Sequence, residues 1–129
     1  MPDELNQDVE IASILTSTKK KLGPAADYNA FDHDILVSIN SAFATLYDVC
    51  GLGGDRPFRI VDDAETWDDV IDDPRVEWIK DYIYMKVKLA FDPPNNSFLI
   101  DNYKQQIAEL EWRIYTVLND YYPEDVHKV

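Results

Sequence analysis

Between Val76 and Tyr121 the apolar residues fall into two helical periods separated by Asp92-Pro93-Pro94. In the first, Val76, Ile79, Ile83, Val87 and Ala90 recur at three- and four-residue spacing and form one stripe of a helix. Trp78, Tyr82, Met85 and Leu89 form a second stripe, about 130° around the helix at 100° per residue. Glu77, Lys80, Asp81, Tyr84 and Lys88 mark the polar side. A helix apolar on two sides is either sandwiched inside its own domain or covered on one side by another subunit.

The rest of the chain shows the same kind of pattern. Ile11, Ile14, Leu15, Thr18 and Leu22 share a face and predict a helix from about Asp8 to Leu22, stopped by Gly23-Pro24. Asp3, Glu4, Asp8 and Glu10 at its start and Lys19, Lys20 and Lys21 at its end complement the helix dipole. A second helix is expected from Asp32, as N-cap, with Asp34 in its first turn. It should bury Ile35, Ile39, Ala42, Phe43, Leu46, Val49 and Cys50 and end at Gly51, Gly53 and Gly54. Asn40, at the stripe's edge, reads as a side chain satisfied by backbone or side-chain partners rather than as a catalytic group.

From Gly51 to Arg75 the periodicity breaks. Phe58-Arg59-Ile60-Val61 fits a short strand. Thr66 to Ile71 fits one or two helical turns, with Thr66 capping and Trp67 folded back onto the core. So long a connection in a small domain points to a job of its own. Pro74 precedes the third helix and Pro93-Pro94 stop it. Asn96 or Ser97 caps a fourth, which runs to about Tyr121 on Leu99, Ile100, Tyr103, Ile107, Leu110, Ile114, Val117, Leu118 and Tyr121. Trp112 lies off that stripe, beside Asp101, Gln105 and Ala108. It is a candidate contact with another molecule, the alternative being a place under the tail or a loop of its own chain. The expected fold is all-α: one helical domain over residues 1–121, with four main helices and a long loop inserted between the second and third. A flexible tail follows over residues 122–129.

Composition narrows the function. At 129 residues, 46% apolar, the chain suits one domain with a real core. Its 25 acidic and 12 basic residues give a net charge of −13. Such a surface repels nucleic-acid phosphates and anionic membranes and opposes a sequence-reading role. Cys50 is the single cysteine, in an apolar helical context, and reads as a buried structural thiol of a chain that suits a reducing cytosol. Met1-Pro2-Asp3-Glu4 has neither the basic region nor the apolar run of a signal peptide.

Catalytic and metal signatures are missing. His33 and His127 lie far apart without nearby cysteines, which disfavours zinc. Asp62–Asp73 lacks the central glycine and closing glutamate of an EF-hand. Gly51-Leu52-Gly53-Gly54 lacks the ending of a phosphate-binding loop, and there is no nucleophile elbow. Glu109 and Glu111, two apart on a helix, do not face each other as a carboxylate pair. No cofactor is expected.

Several segments are nonetheless distinctive: ILTSTKKKLG (Ile14–Gly23), FDHDILVSINSAF (Phe31–Phe43), TWDDVI (Thr66–Ile71), IYMKVKLAFDPP (Ile83–Pro94) and IAELEWR (Ile107–Arg113). With these the chain resembles the small head–tail connector proteins of tailed bacteriophages, also described as head-completion, adaptor or DNA-packaging proteins. The most specific are the Phe91-Asp92-Pro93-Pro94 turn and Glu109-Leu110-Glu111-Trp112-Arg113. The Gly51–Pro57 loop (GLGGDRP) departs from the family in being longer and more charged.

The resemblance implies a helical, non-enzymatic virion protein that forms a ring of about twelve copies. The ring would sit below the portal protein, extend the DNA channel after packaging, and receive a stopper or tail-completion protein. DNA would pass through without sequence-specific binding. The protein would be assembled in the host bacterial cytoplasm, reside at the head–tail interface of the virion, and have no membrane partner. On that reading Trp78, Tyr82, Met85, Leu89 and Trp112 are interface candidates, and Asp62, Asp63, Glu65, Asp68, Asp69, Asp72 and Asp73 are channel or rim acids. Pro123, Val126, His127, Lys128 and Val129 are candidates for docking the tail on the portal. The competing reading is an acidic DNA mimic that inhibits a host nucleic-acid-binding protein, which would spread its carboxylates in a long double row rather than bunch them in one loop.

Overall fold

Ser13 sets where the first helix starts. Its backbone is extended (φ −68°, ψ 129°) and its hydroxyl accepts the Thr16 N–H at 3.2 Å, so α1 runs Ile14–Leu22. The computed structural model describes residues 12–23 and 29–121, the side chains of 120 and 121 excepted. The expected stretch from Asp8 to Ile11 lies outside the described residues. The Ser13 hydroxyl also donates to the Asp63 carbonyl at 2.8 Å, and the Ile14 N–H donates to the Glu65 carbonyl at 3.0 Å. The head of α1 is thereby pinned to the acidic connection.

A 3-10 turn (Asn29–Phe31) leads into α2 (Asp32–Cys50). Phe31, not Asp32, occupies the cap position. Asp32 lies in the first turn and pairs at 2.6 Å with Lys19 in the last turn of α1. At the other end Gly51 takes a left-handed conformation (φ 79°) and its N–H reaches the Tyr47 carbonyl at 2.9 Å. Val49, expected in the core, is half exposed: it sits at the edge of the stripe, 100° around the helix from the buried Cys50.

The connection that follows holds α3 (Trp67–Val70) and no strand among the described residues. The segment read as a strand forms none and pairs instead with a side chain. Asn40 donates to the Ile60 carbonyl at 2.9 Å and accepts the Ile60 N–H at 2.8 Å, filling the positions a neighbouring strand would take. Asp69 accepts the Thr66 N–H at 2.9 Å to begin α3, and Trp67 is buried, 6.5 Å from the Phe43 ring.

α4 spans Val76–Phe91 and α5 spans Ser97–Tyr121, with Asn96 accepting the Phe98 N–H at 2.7 Å. α4 is the central helix, packed against α1, α2 and α5. That arrangement answers the two-stripe question: both apolar sides of α4 are largely used inside the chain. Val76, Ile79, Ile83 and Val87 are buried, whereas Ala90 is exposed at the helix end. On α5, Ile107, Leu110, Ile114, Val117 and Leu118 face the core, but Leu99 does not, since the first turns of α5 project beyond the other helices' cover.

Candidate assembly surfaces

The second stripe of α4 divides. Tyr82 is fully buried and its hydroxyl donates to the Glu111 carboxylate on α5 at 2.8 Å. Burial, and the carboxylate it already bonds, push the Tyr82 hydroxyl above its ordinary pKa. Beside it the Cys50 thiol donates to the Glu111 carbonyl at 3.3 Å, and burial followed by the Glu111 charge pushes that thiol up to about 12. Glu111 is thus where α2, α4 and α5 are joined. Tyr82 belongs to this join and offers nothing to a neighbouring subunit.

Trp78, Met85 and Leu89 are half-buried against the core. The Arg113 guanidinium lies 5.8 Å over the Trp78 ring and also pairs with Glu109 at 2.9 Å. Trp78 and Met85 line a shallow cleft of about 330 Å³ between α4 and α5, closed on the α5 side by Gln106, Glu109, Leu110 and Arg113.

Trp112 is 69% exposed and stacks on Tyr115 at 6.2 Å with the rings 16° apart. It does not pack under a loop among the described residues. Phe98, 73% exposed, lies two heptads, just under four turns, back on the same side of α5, with Asp101, Gln105 and Glu109 between them, all exposed. These residues form one outward ridge.

The acidic connection is partly its own scaffold. Asp62 accepts the Ala64 N–H at 2.8 Å, and Glu65 accepts the N–H groups of Val61 (2.8 Å) and Asp62 (3.3 Å). Asp73 accepts the Arg75 backbone N–H at 2.8 Å and pairs with its guanidinium at 2.8 Å. Those bonds hold the Asp73 carboxyl down at about 2. With Asp69 bound to Thr66, four of the seven candidate acids are committed to turns. Asp63, Asp68 and Asp72 are exposed, and their carboxylates bond nothing among the described residues. The tail candidates Pro123, Val126, His127, Lys128 and Val129 lie outside the described residues.

The family described as phage connector protein matches residues 14–120, from the first residue of α1 to within one residue of the end of α5. The chain belongs to the phage connector proteins. No curated protein and no solved structure matches it. Connectors are structural parts of the virion that work with other head and tail proteins. Among the described residues no helix is long and apolar enough to cross a membrane, and no three His, Cys, Asp or Glu side chains converge as metal ligands.

In this connector the surplus apolar surface sits elsewhere than on the α4 stripe. Phe98 and Leu99 on α5, Val37 on α2 and Val61 in the connection are all exposed. Periodicity could have flagged Phe98, since Phe98, Leu99 and Ile100 run consecutively and a helix cannot bury three neighbours on one stripe. Val37 carried a similar sign, lying 200° from Ile35 on the α2 wheel.

Proposed function

We propose that this connector is a non-enzymatic ring subunit, about twelve copies closing below the portal, that extends the DNA channel and joins head to tail after packaging. The observation that carries the reading, given the family, is the outward ridge of α5. Two large aromatics stand uncovered there while the fold's own core is complete without them. Exposed aromatics of this kind are typical anchors of subunit interfaces. Trp78, Met85 and Leu89 contribute at the flank of the same patch.

Asp63, Asp68 and Asp72 are the acids left to face a channel or its rim. Carboxylates there repel phosphates, so DNA slides rather than binds. Residues 1–121 act as one connector unit, and residues 122–129 reach the portal or a stopper protein. Assembly takes place in the host bacterial cytoplasm.

The test is Trp112→Ala with Phe98→Ala in the full chain. Both side chains are exposed, so folding stability should change by only about 0.5 kcal/mol, and helicity by circular dichroism should be unchanged. The assembled fraction by size exclusion, alone or with portal rings, should fall at least tenfold. Unchanged assembly would overturn the interface, and lost helicity would mean that these side chains are needed by the fold.

A further inference from the structure

A closed ring needs two different surfaces on each copy, and the ridge of α5 supplies only one. The other lies on the opposite side of the molecule. Between α2 and residues 57–59 runs a groove of about 340 Å³ lined by the apolar Leu36, Val37, Ala44 and Pro57 and the polar His33, Asn40 and Arg59. Val37 is half exposed on its wall. Arg59 and the nearby Arg56 are exposed, and neither guanidinium makes a hydrogen bond or ion pair among the described residues. In a chain of net charge −13, Arg59 gives this groove a cation that pairs with no acid among the described residues.

The ridge has the opposite character. Phe98 and Trp112 stand about 21 Å apart along α5 at 1.5 Å per residue, with the exposed carboxylate of Asp101 between them and that of Glu109 already paired with Arg113. α2 and α5 pack against each other through their inner faces, where Cys50 meets Glu111. Their outer faces therefore point in different directions, as a head-to-tail contact requires. Groove against groove would set arginine against arginine. Ridge into groove pairs aromatic with apolar and carboxylate with guanidinium.

We infer that each copy seats the Phe98–Trp112 ridge of its α5 in the groove between α2 and residues 57–59 of the next copy. This seating rests on the ring reading and specifies which faces meet.

The test is a full chain carrying both Val37→Cys and Ala108→Cys, beside each single variant, oxidised gently after assembly at high concentration or on portal rings. Cys50 is buried and stays out of the reaction. The double variant should give a ladder of covalent multimers up to the ring, and each single variant only monomer. Arg59→Glu should lower the assembled fraction at least tenfold with helicity unchanged. A ring by mass with no ladder, or with Arg59→Glu assembling like the parent, overturns the seating and leaves the ring standing. No assembly by mass under any condition overturns the ring reading, and the seating with it.

Discussion

The Tyr82 hydroxyl on α4 donates to the Glu111 carboxylate on α5 at 2.8 Å, and the carbonyl of the same Glu111 takes the Cys50 thiol of α2. Three helices are keyed together at one residue. Tyr82→Phe removes the donor and leaves a partly buried carboxylate short of a partner. The expected cost is about 2 kcal/mol, read as a lower urea midpoint at unchanged slope, with Trp112-dependent assembly preserved once the protein is folded.

The same join predicts alkaline sensitivity. Cys50 titrates near 9.0 when unfolded and about 12 when folded, and Tyr82 is also raised above its unfolded value. A raised folded pKa means that the stabilisation is complete below the unfolded value and is lost as pH climbs toward the folded one. The thermal midpoint should hold steady to about pH 9 and then fall. Cys50→Ala should flatten the first part of that decline, and an unchanged pH profile in that variant would refute the assignment.

At the acid end the sign reverses. The Asp73 carboxyl, held at about 2 by Arg75, favours the ordered turn above its unfolded value of 3.8 and loses that preference as pH falls through about 2. A carboxyl-detected NMR titration of Arg75→Ala should show Asp73 moving up toward 3.8, though not all the way, because the backbone N–H of residue 75 still donates.

Asn40 fills both hydrogen-bonding positions of Ile60. Asn40→Ala strands an N–H and a carbonyl beside a buried side chain, at a cost of about 2–3 kcal/mol. Hydrogen exchange at the Ile60 amide should rise well before global unfolding. In the adjoining turn, a Cβ at Gly53 (φ +109°) would sit 2.2 Å from the Arg56 carbonyl, whereas one at Gly54 (φ +76°) would meet nothing within 4 Å. Gly53→Ala should therefore cost more than Gly54→Ala, whose penalty of about 1 kcal/mol is the left-handed backbone alone.

Much of this architecture was legible from spacing. The α2 stripe, the Trp67 turn, the proline stop after α4 and the Asn96 cap all follow from local rules that the packing leaves intact. Asn40 as a satisfied polar residue was legible too. What periodicity could not show was which neighbour covers each side of α4. Both apolar stripes fit an external partner equally well until α2 and α5 are seen flanking the helix, and Tyr82 then passes from candidate interface to core. Phe98 and Val37 were legible as outliers: Phe98 begins three consecutive hydrophobes, and Val37 lies opposite the α2 stripe. The strand reading of Phe58–Val61 failed because Ile60 is paired by the Asn40 side chain, and a side-chain amide leaves no trace in alternation.

On the proposed function, identical subunits close into a ring through faces the fold leaves uncovered. Native mass measurement of the full chain bound to isolated portal rings tests it most directly. A single species carrying about twelve copies of the 14.9 kDa chain is expected, absent when Trp112 and Phe98 are both alanine. A chain that stays monomeric in the portal's presence, or that binds in no fixed number, would contradict it.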